Sequence, residues 1–281
     1  MTIAITGSTG HLGRLAIAAL KARGPASEII ALARDTAKAA DLGVAVREAD
    51  YGLAETLGPA LTGVDVLVLI SSSSFADRAG DHLRVIEAAK TAGVGRILYT
   101  SILKGLDSPL LMAEDHKATE RALTASGLPV TVLRNGWYTE NYTGSLGAAV
   151  EHGAMIGSAG EGRVSTAARK DFAEAIAVVA SGAGHEGRIY ELAGDTAFTL
   201  PEMAAEVSRI TGKVIPYNSL PADVYASILQ GFGLPEGFAR LLADSDVQAS
   251  KGGLFDDSKT LSRLIGHPTT PMADTVAAAL A

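Results

Sequence analysis

Residues 2–20 constrain this chain more than any other stretch. A short apolar run, Ile3, Ala4 and Ile5, ends at Thr6, and Gly7, Gly10 and Gly13 follow at intervals of three. Apolar residues then recur at helical spacing through Ala16, Ile17 and Leu20. A strand buried on both faces reads as a continuous apolar run, so the stretch parses as strand, glycine-rich turn and helix. Glycine lets backbone approach a pyrophosphate, and a helix N-terminus offers an anion unpaired N–H groups and the positive end of its dipole. The spacing G-x-x-G-x-x-G differs from the G-x-G-x-x-G fingerprint, and a tight strand–helix turn without a ligand is the competing reading. The flanks favour the nucleotide. Gly7, Ser8, Thr9, Gly10, His11, Leu12 and Gly13 are then the phosphate loop, with the backbone of His11 engaged rather than its ring.

The pattern repeats down the chain. Strands are expected at 27–33, 44–48, 65–70, 96–101 and 130–133, and helices at 79–92 and 110–126. Such alternation builds βαβ units and a parallel sheet. Beyond Arg134 it loosens: loop and helix over 138–153, a helix over 170–180, a strand over 188–192. Then come a helix over 200–211 with Pro201 early and Gly212 just past its end, a strand over 214–217, and helices over 222–230 and 235–242. The expected fold is α/β: a Rossmann-like doubly wound parallel sheet over 1–134, which binds NADP. A smaller α/β substrate lobe over 135–281 sends some segments back onto it.

Ligands of such sheets lie outside the carboxyl ends of the strands. An acidic residue after the second strand selects NAD through the ribose 2′-OH, whereas an arginine accommodates a 2′-phosphate. The residue here is Arg34, with Lys38 one helical turn on, and a guanidinium fork matches phosphate oxygens. That points to NADPH; the alternative is a solvated strand-end arginine. Asp35 next to it is expected to open the following helix. Asp50 and Tyr51 follow the third strand, where adenine would lie. Ser71, Ser72 and Ser73 follow the fourth, near the ribose and pyrophosphate, although serines there also suit a plain turn.

Composition narrows the class. The 281 residues are 47% hydrophobic and 20% charged, with net charge −7, no cysteine and no apolar run of eighteen. The acidic balance gives no support for nucleic-acid or anionic-membrane binding. Disulfides, thiolate metal sites and cysteine nucleophiles are excluded. A cytoplasmic protein, monomer or homodimer, without a metal is expected.

The motif Thr6-Gly7-x-x-Gly10-x-x-Gly13, Arg34, the strand-four serines and Arg134-Asn135-Gly136-Trp137-Tyr138 together resemble the NmrA-like group of atypical short-chain dehydrogenases/reductases. Within it the chain is most similar to the type 2 NAD(P)H:quinone oxidoreductases, themselves similar to the triphenylmethane-dye reductases. The resemblance covers essentially the whole chain. LRNGWYTENY, HEGRIYELAGD and SDVQASKGGLFDDSKTLSRLIGHPTTP are its most specific stretches. It implies two lobes, NADPH on the N-terminal sheet, and a quinone or dye reduced between them.

Ordinary short-chain dehydrogenases use Tyr-x-x-x-Lys. Here Tyr51, Tyr99, Tyr138, Tyr142, Tyr190, Tyr217 and Tyr225 are followed four residues on by Glu55, Leu103, Tyr142, Leu146, Gly194, Pro221 and Leu229, never lysine. Ser101 is at most a remnant of the serine that assists that tyrosine, and His116–Glu120 reads as an exposed or capping pair. Carbonyl reduction to an alcohol needs a positioned acid. A quinone accepting hydride gives a delocalised oxyanion that solvent can protonate, so no essential catalytic residue is expected. Asn135, Gly136, Trp137 and Tyr138 are candidates for the nicotinamide end, and Asn141, Tyr142, Phe232 and Phe238 for the substrate. Ordinary packing is an equal claim on those aromatics. The readings left open are reduction of dyes or other conjugated acceptors, and a non-catalytic NADP-binding redox sensor.

Overall fold

The computed structural model describes every residue except 25, 26, 73, 75 and 76. The first part of the chain runs β1 (Thr2–Ile5), α1 (His11–Ala22), β2 (Glu28–Ala33), β3 (Ala45–Glu48), α2 (Ala54–Leu61), β4 (Val66–Leu69), α3 (Arg78–Ala92), β5 (Arg96–Ile102), α4 (Glu114–Ala125) and β6 (Val130–Asn135). There follow α5 (Glu140–Thr143), α6 (Leu146–His152), β7 (Met155–Gly157), β8 (Arg163–Val164), α7 (Arg169–Ser181) and β9 (Ile189–Leu192). The remainder is β10 (Phe198–Thr199), α8 (Leu200–Thr211), β11 (Tyr217–Ser219), α9 (Ala222–Gly231), α10 (Glu236–Ser250), α11 (Thr260–Ile265) and α12 (Met272–Leu280).

These divide into two compact units. The first comprises Met1–Leu106, Asp115–Asn135 and Arg169–Glu191; the second comprises Asp107–Glu114, Gly136–Ala168 and Leu192–Ala281. The main sheet has the order β3-β2-β1-β4-β5-β6-β9, and the pairs from β3 through β6 are parallel. This is the doubly wound Rossmann-like sheet that the alternation predicts. β4 and β5 are buried along their whole length, as a sheet covered on both faces requires. Ala4, Ile30, Leu32, Leu67, Leu69, Ile97, Tyr99 and Val132 join Leu57, Leu61, Val85, Ile86 and Leu123 of α2, α3 and α4 in one core. The alternate strand residues point to the other face, where α1 packs on α7.

In the second unit, β7 pairs with β11 in parallel and β8 with β10 antiparallel. α9 packs on α10, and α12 on α8. The helix α8 starts with a capping box between Thr199 and Glu202, has Pro201 in its first turn, and ends at Gly212 in the left-handed conformation. Three local expectations change. The strand expected at 214–217 forms at Tyr217–Ser219, because Val214 is 89% exposed and gains nothing from strand alignment there. The helix expected over 235–242 continues to Ser250. The helix α2 is unanticipated, since Gly58 and Pro59 argue locally against it; burial of Leu57, Ala60 and Leu61 overrides them. Among the described residues no helix is long and apolar enough to cross a membrane.

Candidate active site

The glycine loop is shaped by close approach. Gly7 has φ +60°, and Gly10 closes the turn by donating its N–H to the Gly7 carbonyl at 2.9 Å. A Cβ on Gly13 would sit 2.8 Å from Ser8 Cα and against the Gly7 carbonyl, so α1 can lie this close to the loop only with glycine there. Among the described residues no side chain caps the N-terminus of α1, and no acidic residue lies in its first turn. Its leading N–H groups therefore remain available to an anion. Three hydroxyl or guanidinium links hold the loop. Ser8 Oγ donates to the Leu32 carbonyl (2.8 Å); Thr6 Oγ1 accepts from Ile70 N–H (2.9 Å); Arg14 donates to Thr9 O and Lys38 O and pairs with Asp41 at 2.8 Å. Thr9 is half-buried and His11 exposed, while Leu12 is buried and its side chain serves the core.

At the end of β2, Arg34 is exposed and makes no hydrogen bond or ion pair among the described residues. Asp35 caps the following 3-10 helix by accepting from Ala37 N–H, and Lys38 lies 3.8 Å from it. Beneath them the Tyr51 hydroxyl donates to Ile70 O (3.3 Å). Burial pushes its ionisation up, against the opposing pull of the Thr6 hydroxyl and, more weakly, of the Arg34 charge. Asp50 Oδ1 accepts from Gly52 N–H (2.9 Å) and shapes the turn after β3.

After β4, Ser71 donates its N–H to Thr100 Oγ1 (3.0 Å), and Ser72 donates its N–H to His82 Nε2 (2.9 Å). Arg78 Nε donates to Ser72 O (2.7 Å). Ser73 lies outside the described residues. The serine segment is thus anchored by side chains that its own sequence does not announce.

At the edge formed by β5 and β6, Ser101 donates to Glu120 Oε1 (2.6 Å). Arg134 grips both Glu120 oxygens (3.1 and 2.7 Å) and reaches Glu191 at 2.9 Å. Those bonds raise the Arg134 pKa, Glu120 first. The expectation of an exposed His116–Glu120 pair is corrected: they are 8% and 5% exposed. His116 Nδ1 bonds the Tyr99 hydroxyl (2.8 Å), and burial, followed by the Arg78 charge, lowers the ring to about 3. Asn135 is buried at the end of β6, and its carbonyl accepts from Leu103 N–H (2.9 Å).

In the second unit, Gly136 donates its N–H to Leu192 O (2.7 Å), which would also crowd a Cβ at 2.9 Å. Trp137 and Tyr138 are half-buried and fixed by backbone pairing with Ala167. Asn141 is exposed on α5. The Tyr142 hydroxyl is buried without a hydrogen-bond partner among the described residues. Desolvation raises its pKa well above the usual value, with Asp246, Tyr225 and Tyr217 adding to it. Asp246 accepts from Ser158 N–H (2.8 Å), and burial pushes it up to about 6. Phe232 is 58% exposed, with its ring 5.9 Å from that of His152; Phe238 is half-buried on α10. Asp246 was missed by sequence reasoning. A usable signal existed: Ala239, Ala243, Asp246 and Ala249 recur at helical spacing, which puts a carboxylate on the buried stripe. Among the described residues no acidic or histidine cluster could hold a metal.

A family model described as NAD(P)H-binding matches residues 7–182. Quinone oxidoreductase 2 of Escherichia coli is 54% identical over 277 residues, 98% of this chain and 97% of that protein. The crystal structure of the E. coli NADPH-dependent quinone oxidoreductase QOR2 complexed with NADPH superposes with a TM-score of 0.96, covering 99% of this chain and all 100% of that one. Triphenylmethane reductase from Citrobacter sp., complexed with NADP(H), is 37% identical with a TM-score of 0.93, over 99% of each chain. The chain belongs to the NAD(P)H-binding, NmrA-like family of atypical short-chain oxidoreductases.

Proposed function

We propose that this chain is an NADPH-dependent quinone reductase that uses neither flavin nor a Tyr-x-x-x-Lys acid. The observation that carries the cofactor assignment is the loop at Gly13, where the Cβ position is filled by loop backbone, next to a start of α1 that is exposed at Gly10 and His11 and uncapped among the described residues. Gly7, Ser8, Thr9, Gly10, His11, Leu12 and Gly13 would hold the pyrophosphate through backbone N–H groups. Arg34, unpaired among the described residues, would take the 2′-phosphate, with Lys38 beside it. Asp50 would border the adenine, and Ser71 and Ser72 the ribose and pyrophosphate. Asn135, Gly136, Trp137 and Tyr138 would border the nicotinamide.

Bound NADPH supplies a hydride, and one solvent proton completes the conversion of a quinone to its hydroquinone. The protein's part is orientation. Ser101 is committed to Glu120, and His116 is held neutral against Tyr99, so neither stands ready as an acid. Residues 135–281 would supply the substrate side, with Asn141 offering a donor and an acceptor to a quinone oxygen and Tyr142, Phe232 and Phe238 apolar surface. The similarity to a triphenylmethane reductase supports a second class of acceptor, conjugated dyes. All these residues lie on one chain, which suits a monomer or homodimer, and the activity is assigned to the cytoplasm, where NADPH is supplied.

The test is NADPH oxidation by flavin-free protein, followed at the reduced-nicotinamide absorbance with and without a small quinone. Quinone-dependent oxidation supports the proposal. Tight NADPH binding with no oxidation by quinones or dyes would instead make the chain a redox sensor.

A further inference from the structure

The segment after β4 is held by a two-pronged clamp. Ser72 is gripped on both sides of its backbone: its N–H donates to His82 Nε2 at 2.9 Å, and its carbonyl accepts from Arg78 Nε at 2.7 Å. Arg78 and His82 are four residues apart on α3, so they project from one face. Each is backed by α4. His82 Nδ1 lies 2.8 Å from Thr119 Oγ1, and Arg78 Nη1 lies 3.8 Å from Asp115, again four residues apart.

Directions within the clamp are fixed by donor chemistry. A backbone N–H can only donate, so His82 Nε2 is the acceptor and the ring proton sits on Nδ1. That proton goes to Thr119 Oγ1, which passes its own to the Asp115 carbonyl at 2.8 Å. The ring is fully buried and flanked edge-on by Tyr99 and Tyr51, with centroids 5.5 and 6.4 Å away. Burial, and next the charge of Arg78, holds it neutral, at about 3. An imidazolium could not accept from Ser72, so a neutral ring is the condition for the clamp.

We propose that His82, held in its Nδ1–H form by Thr119, is a positioning residue that fixes the Ser71–Ser72 backbone for the cofactor. The inference rests on the assignment of the cofactor to this sheet edge. It adds a residue pair that touches neither cofactor nor acceptor, and predicts an effect on cofactor affinity rather than on turnover.

Thr119→Val keeps the shape and removes the acceptor. It should raise KM for NADPH by about tenfold, the scale of one buried hydrogen bond, with kcat within about twofold of native. Thr119→Ser retains the hydroxyl and should restore native KM. Nitrogen-15 spectra of the labelled native protein should show His82 as the neutral Nδ1–H tautomer, a readout that needs no variant to fold. An Nε2–H tautomer, a native KM in Thr119→Val, or a loss of kcat at unchanged KM would each overturn the inference. Arg34→Ala separates the two levels. If it weakens NADPH while Thr119→Val does not, the positioning role fails and the cofactor site stands. If neither weakens NADPH, both fall.

Discussion

The two units share hydrogen-bonded buried polar groups, such as the Thr139–Thr166 hydroxyl pair of the second (2.8 Å), but differ in the buried groups that set them apart. In the first, His82, His116, Glu120 and Ser101 are all buried, and each is hydrogen-bonded to a named partner. In the second, Ser108 Oγ, Tyr142 OH, Ser158 Oγ and Thr275 Oγ1 are buried without a partner among the described residues, and Asp246 is a buried carboxylate. Saturated networks rigidify, whereas unsatisfied ones cost stability and persist where something else is gained. The contrast suits the division of labour proposed above. A cofactor of fixed shape needs a preorganised edge, while acceptors of varied shape need adjustable walls.

Polar deletion should therefore have opposite signs in the two units. Glu120→Ala leaves Ser101 without its acceptor and Arg134 with Glu191 alone, and should destabilise the protein by about 3 kcal/mol, read from urea unfolding. Asp246 is raised from 3.8 to about 6 in the folded state. The folded protein thus binds the proton more tightly than the unfolded chain. Stability should be full below about pH 4, fall as pH rises towards 6, and stay lower above it, by a total on the order of 3 kcal/mol. Asp246→Asn should flatten that slope in unfolding curves taken between these pH values. A native protein with no such slope would remove the contrast.

Within the first unit, Gly13→Ala forces a Cβ against Ser8 Cα and the Gly7 carbonyl. Displacing the loop by about 1 Å should raise KM for NADPH on the order of a hundredfold. Arg34→Ala is the smallest of these changes: about tenfold on KM for NADPH, with KM for NADH unchanged. An equal effect on both cofactors would place Arg34 away from the 2′-phosphate.

The sheet was legible because parallel strands buried on both faces must be apolar throughout, and residues 66–69 and 97–99 can be little else. The tight strand–helix turn was legible because only glycine tolerates the approach at Gly13. The polar network was not. Ser101 and Glu120 are nineteen residues apart and Arg134 and Glu191 fifty-seven, and no local pattern encodes such pairs. His116 and Glu120 look solvated at i, i+4 on a charged helix, and only the fold shows that this face turns inward. The same holds for His82, whose partner Ser72 precedes it by ten residues in an unremarkable serine run.

The proposed reaction is direct hydride transfer without an intermediate carrier. A single-turnover experiment with flavin-free protein, a small quinone and NADPH deuterated at nicotinamide C4 tests it most directly. Direct transfer predicts that oxidised nicotinamide and hydroquinone form at one shared rate, slowed by the deuterium. Nicotinamide oxidation that runs ahead of quinone reduction, or that requires added flavin, would contradict it.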